Sequence, residues 1–470
     1  MTATADTQES SGRDSELKQT VTGRLLFFYV LGDVLGSGIY VLIGAVAGAV
    51  GGAFWVSFAV GVTVAVITGM AYAELATKYP QAAGASLYVN RAFEKPALTF
   101  LVTVCMLAAC FAAAGSLATG FAAYFAELWE LPPALLVSLV FILLLSVVNY
   151  LGITESVVAN LVMTVIEAAG LLVVIVVGVV RVGQGGADFG SLVDFSGASN
   201  PIWAIVGGVG LAFFAMTGFE NAANLAEETT NPERDFPRAL VGGMLTAGVI
   251  YVLVSMSAAL VVEPGELANS AAPLLDVVES GVLPLSVTLL ATVFAVIACT
   301  AITNTTLASV VTQSRVLYGM AREDVVPAVF GRVHARRRSP HAALAFSAIV
   351  VCGLLVVGAV LNGAGLDIDV VARLATVTVV LLLLIYLMVI LAAMKLHGQD
   401  ETEGSFRASL PLLCAGLAAN LGLLVYVVQD DPFSLVWCAA LVGVGLVLYL
   451  VERAFGSSGA TADSAGGAAT

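Results

Sequence analysis

Charge is what this sequence has least of. Only 11% of its 470 residues are Asp, Glu, Lys or Arg, where a soluble domain carries about 25%, and the deficit excludes a soluble enzyme. Basic residues are scarcer than acidic ones, 19 against 33 for a net charge of −14, which excludes a nucleic-acid-binding footprint. There are three histidines, and the six cysteines (Cys105, Cys110, Cys299, Cys352, Cys414 and Cys438) stand apart from them in apolar stretches. That spacing makes neither a zinc site nor a disulfide frame. The sequence has no HExxH motif and no Walker loop, so a membrane-embedded enzyme would lack its metal or nucleophile–base pair. Period-two alternation is missing too, which argues against a transmembrane barrel.

What remains is apolar: 59% of the residues, gathered into runs long enough for a helix to cross a bilayer. Polar or Pro/Gly breaks divide them into roughly twelve spans, at 23–48, 53–77, 97–127, 133–150, 155–181, 201–226, 238–262, 284–318, 341–362, 370–396, 409–428 and 433–453. Residues 1–22 are polar, with no cleavage site after a short apolar core, and read as a cytoplasmic tail rather than a signal peptide. With that tail inside, Lys and Arg fall almost wholly on cytoplasmic segments: the external loops hold only Arg181, while Arg315 and Arg373 sit within spans. Both termini are therefore expected in the cytoplasm, and the Ala/Gly/Ser-rich segment 456–470 as a disordered tail. The acids of the external loops, among them Glu127, Asp188, Glu263 and Asp276, would either concentrate cations or simply form a solvated face. The expected setting is the lipid bilayer of a prokaryotic cell membrane.

A carrier must hold a polar solute at mid-membrane, which the backbone can do only where a helix is interrupted inside protein. Two spans carry such interruptions. In the first, Gly32-Asp33-Val34-Leu35-Gly36-Ser37-Gly38-Ile39 sets three glycines and a serine within seven residues. A helix restarting after Gly38 would aim its positive end at an anion such as a carboxylate; the alternative is a tight packing face of small residues. In the sixth, Phe213-Phe214-Ala215-Met216-Thr217-Gly218-Phe219-Glu220 combines glycine and hydroxyl with aromatics. Its unwound carbonyls could receive an ammonium and Phe214 or Phe219 could form a lid, or the aromatics could be a packing stripe. Interruptions five spans apart suggest two five-helix repeats facing each other.

The segments GSGIYVLIG, AELATKYPQAAGASLYVNRAF, FFAMTGFENAANLAEETTNPERDFPRAL and TQSRVLYGMAREDVVPAVFGRVHARRRSPHAAL resemble the amino acid–polyamine–organocation superfamily of secondary transporters, in order over roughly residues 23–400. The resemblance implies an all-α fold: a ten-helix inverted-repeat core over 23–400 and two peripheral helices over 401–455. It also implies that amides around Gly36, Ser37, Gly38 and Ile39 take an amino acid carboxylate, and that carbonyls around Phe214, Ala215 and Thr217 take the amino group. Proton-coupled relatives carry a Lys in the fifth helix where this chain has Glu167. An intramembrane carboxylate is costly unless paired or protonated, so Glu167 is an ion-coupling candidate, or a neutral Glu bonded to nearby backbone. Asp33 stands where small residues are usual and is either an ion or substrate group or a helix-end cap. Glu220 could be a gate, a substrate contact or a structural partner. Asn304, Thr305, Ser309 and Thr312 share a face and could line an ion site, or bond their own backbone.

The leading expectation is thus a symporter for an amino acid or related amine, with no cofactor beyond a coupling proton or sodium ion. A channel would need repeated polar rings rather than two polar breaks. An exchanger without net ion coupling and a non-transporting sensor stay open, as do the substrate and the oligomeric state.

Overall fold

Apolar runs with no water to bond must satisfy their backbone internally, and this chain does so with helices. A computed structural model describes residues 19–129, 132–195, 200–270, 273–280, 282, 286–323, 325–363, 370–399, 404–430, 432–433, 435–440 and 442–443. Among these the spans are, in order, Gly23–Val50, Trp55–Lys78, Pro96–Leu128, Ala134–Leu151, Ile153–Gly183, Pro201–Ala215 continued by the 3-10 helix Phe219–Glu228, Pro232–Val261, Val287–Arg322, His341–Gly363, Val370–Lys395 and Leu410–Asp430. Eleven of the expected spans are present if the bent first helix counts as one crossing. Most of the expected twelfth, at 433–453, lies outside the described residues, as do the tails at 1–18 and 456–470. Short helices that the hydropathy reading had left as loops occupy Gly84–Phe93, Pro264–Asn269 and Pro273–Glu279. Hydropathy does not mark them because each is too short to span a bilayer.

The two interruptions are visible in the backbone. The first span starts at Thr22, whose side chain accepts from the Leu25 N–H, and it leaves helical geometry at Gly36 (φ 3°, ψ −164°). Leu42–Val50 runs at 62° to Gly23–Tyr40. In the sixth, Asn200 caps the helix and Pro201 opens it; the helix stops at Ala215, and Gly218 (φ 119°) turns the chain into the 3-10 helix. That left-handed φ favours glycine. No strand occurs among the described residues beyond a bridge between Val21 and Thr229, which ties the start of the first span to the end of the sixth.

The first span lies centrally, packed by the fifth, sixth, seventh and eighth, while the third packs on the eighth and tenth and the eleventh lies against the second and tenth. Large apolar side chains stay exposed on the outer helices, including Leu144, Val179, Val249 and Ile349. Outward apolar faces over buried polar groups are the arrangement a bilayer requires. The protein is therefore a multi-pass integral membrane protein.

Candidate functional site

Both interruptions border one cavity of about 370 Å³. Gly36 and Gly38 come from the first span, Phe214, Ala215, Thr217 and Gly218 from the sixth, with Ser116 and Tyr124 of the third, Thr305 and Ser309 of the eighth and Thr378 of the tenth. Gly38 is where the two breaks touch: a β-carbon there would stand 2.6 Å from the Ala215 α-carbon. The sequence reading had valued Gly38 for its amide, and the structure adds a steric reason for glycine. Tyr251 of the seventh span fastens the same junction, its hydroxyl lying 2.5 Å from the Val34 carbonyl oxygen, 2.8 Å from that of Leu35 and 3.2 Å from that of Ala215. Carbonyls released by the broken helices thereby find a donor.

Two carboxylates stand at the breaks. Asp33 Oδ2 accepts from Asn221 Nδ2 at 2.7 Å, joining the first span to the sixth. Glu220 Oε2 accepts from the Gly218 N–H at 2.9 Å and from the Tyr386 hydroxyl at 2.6 Å, and so caps the restarting helix. Both line the cavity. Of the other expected site residues, Ile39 is fully buried and is not in the cavity wall. Phe219 is also fully buried, stacked on Tyr386 at 5.2 Å and edge-on to Tyr72 at 5.7 Å, so its ring packs behind the wall. The Ser37 side chain lies outside the described residues.

Glu167 is buried and away from the cavity wall. Its Oε2 accepts from Asn304 Nδ2 at 3.4 Å, and its Oε1 has no hydrogen-bond partner among the described residues. Asn304 in turn donates to Thr164 at 3.1 Å and accepts from Asn160 at 2.6 Å. Thr305 bonds its own helix at the Ala301 carbonyl, 3.4 Å away, and Thr312 Oγ1 has no partner. The face expected on the eighth span is thus divided: Ser309 and Thr305 turn to the cavity, Asn304 to Glu167.

Past Ser309, the last residue of the eighth span in the cavity wall, lies a cluster of buried and half-buried charge. Arg315 is fully buried, with Nε 3.1 Å from Glu228 and Nη1 2.9 Å from Asn149. Arg322 pairs with Glu227 at 2.7 Å, and Glu227 also accepts from the Ala82 N–H. These groups tie the fourth, sixth and eighth spans to the segment after the second. The cavity reaches away from them, as far as Leu42 and Tyr124. No group of His, Cys, Asp and Glu fit for a metal occurs among the described residues.

Tyr251, Tyr386, Asn221, Ser116 and Tyr124 were not singled out from sequence. Tyr251 left a signal, being a hydroxyl-bearing ring inside an apolar span, where such a group needs a partner. Asn221, Ser116 and Tyr124 border the cavity, and Tyr386 reaches Glu220, only because distant spans meet.

The chain is 30% identical over 426 residues to an uncharacterized transporter of Mycobacterium tuberculosis, covering 90% of this chain and 89% of that one. It is 30% identical over 327 residues to the chloroplastic cationic amino acid transporter 9 of Arabidopsis thaliana, spanning 65% of this chain but 55% of that protein. It is 25% identical over 471 aligned positions to a branched-chain amino acid permease of Bacillus subtilis, covering 94% of each. The family model described as amino acid permease matches residues 24–457, and with that match over nearly the whole chain the protein belongs to the amino acid permease family of the amino acid–polyamine–organocation superfamily, a family of transporters and not of enzymes.

Proposed function

We propose that this protein is a secondary active transporter that moves an amino acid or related amine by alternating access, coupled to a proton or a sodium ion. The observation that carries the reading is the meeting of two broken helices, Gly38 against Ala215, on one cavity, with a buried ion pair farther along the eighth span. Such breaks leave backbone groups for a solute's charged ends where a continuous helix would leave none. In this reading the first and sixth spans open two inverted five-helix repeats within residues 23–400, and the spans after residue 401 are peripheral. The first-span break takes a carboxylate and the sixth-span side takes the amine. The charge cluster faces the cytoplasm with both termini, since Lys78, Arg322 and Lys395 stand at span ends on that side.

Ion coupling is assigned to Glu167. A carboxylate held by one long hydrogen bond, with its second oxygen unpartnered, needs a proton or a cation during the cycle. Reconstituted protein should accumulate a labelled amino acid or amine against its gradient when a proton or sodium gradient is imposed. Glu167→Gln should abolish accumulation while leaving exchange of internal for external substrate, because exchange need not discharge the ion. Unchanged pH and sodium dependence of uptake in Glu167→Gln would leave Glu167 a structural residue. Exchange alone in the wild type would identify an exchanger, and neither activity would leave a sensor.

A further inference from the structure

The amino end of a solute needs acceptors, and the carbonyls first considered for it are largely engaged. The Phe214 carbonyl accepts from the Thr217 N–H at 3.0 Å and from its hydroxyl at 2.8 Å, and the Ala215 carbonyl accepts from Tyr251. Two donors fill the two lone pairs of a carbonyl oxygen. Two side-chain acceptors in the wall have no hydrogen-bond partner among the described residues, Asp33 Oδ1 and Asn221 Oδ1, and of these two only Asp33 carries a charge. Asp33 is 1% exposed and lines the cavity; its Oδ2 is held by Asn221, while its Oδ1 has no hydrogen-bond partner among the described residues. A buried carboxylate oxygen left without a donor is costly, and a charged donor relieves that cost best.

The surroundings define the donor. The carboxyl sits beside the sixth-span break, where a β-carbon on Gly218 would come within 3.0 Å of Asp33 Cγ. Glu220, the other carboxylate of the wall, already receives an N–H and an O–H. No Lys, Arg or His is among the lining residues, so no side chain of the wall neutralises Asp33. Farther along, the wall is aliphatic, with Ala113, Leu117 and Leu382.

We propose that Asp33 receives the protonated amine of the transported solute, and that the site selects a primary amine on an aliphatic body for which a carboxylate is dispensable. This rests on the carrier reading above and revises it at one point, moving the amine from the sixth-span carbonyls to the Asp33 carboxylate of the first span. A wall with two carboxylates and no cation favours a solute of net positive charge over the zwitterion of the same body, and it repels an acid that lacks the amine.

The test uses the full-length purified protein and three probe sets: the twenty standard amino acids, the amines formed from them by decarboxylation, and the acids formed by deamination. Thermal shift reads binding, and uptake of the labelled binders into proteoliposomes reads transport. Binding should follow the amine: decarboxylated probes stabilise at least as well as their parent amino acids, and deaminated acids do not stabilise. Asp33→Asn keeps an oxygen for Asn221 and should weaken the best amine by about tenfold or more, the worth of a hydrogen bond to a charged group. Unchanged affinity in Asp33→Asn, or an acid binding as well as its amine, overturns the proposal. Should the variant not fold, the wild-type comparison of amines with acids decides by itself. Asp33-dependent binding without wild-type uptake upholds the assignment and refutes the carrier; wild-type uptake untouched by Asp33→Asn refutes the assignment and leaves the carrier standing. A wild-type protein that binds no probe refutes both.

Discussion

Tyr251 shows how much can hang on one hydroxyl. It reaches carbonyls of both broken helices, and its ring packs on Phe58 with centroids 5.8 Å apart. Tyr251→Phe keeps the ring contact and removes the donor, leaving buried carbonyls short of a partner, so it should cost about 1–3 kcal/mol of stability. Thermal unfolding of the two proteins in the same detergent measures this, and an unchanged midpoint would show that the carbonyls find other donors. Residue-scale sequence reading picked out Asp33, Glu167 and Glu220 because ionisable groups at membrane depth are rare and expensive. It could not separate their roles. Each is a carboxylate in an apolar stretch, and only their partners distinguish them: Asn221 for Asp33, Asn304 for Glu167, and Gly218 with Tyr386 for Glu220.

At the scale of elements, the two broken helices act as a unit because their backbones are in contact. Gly38→Ala would drive a β-carbon against the Ala215 α-carbon at 2.6 Å, a neighbour that cannot rotate away. The spans would have to part, and the expected loss is about 1–3 kcal/mol of stability together with uptake. Gly120 lines the same cavity but has nothing within 4 Å of an added β-carbon, so Gly120→Ala should leave the unfolding midpoint nearly unchanged. Equal midpoints for the two variants would mean that the close approach does not constrain the fold. The glycine-rich sequence made the break itself legible, since glycine weakens a helix and no other break signal falls within that span. The five-span separation also pointed to the sixth-span break as its partner, but the contact of Gly38 with Ala215 was not legible, because the two are far apart in the chain and meet only through packing.

For the whole molecule, the charge cluster is the clearest case of distant residues acting together. Arg315 and Glu228 are both essentially buried and lie 3.1 Å apart. Removing one partner strands the other charge, so Arg315→Met should cost about 3–5 kcal/mol, and adding Glu228→Gln should recover much of it. A double-mutant comparison of unfolding midpoints tests this, and additive losses would mean that the two side chains contribute separately. From sequence, Arg315 was simply a basic residue near the end of a span, with no sign that its charge is enclosed. The sequence by itself determined the helical membrane architecture, the positions of eleven of its spans and the sites of both breaks, because hydrophobic length and glycine placement act locally along the chain. Only the tertiary structure decided which residues share the cavity, that Phe219 and Ile39 lie behind its wall, and that Asp33 keeps an unpartnered oxygen. Hydrogen-bond satisfaction and close packing belong to pairs of groups brought together from separate spans, and no stretch of sequence records which pairs will meet.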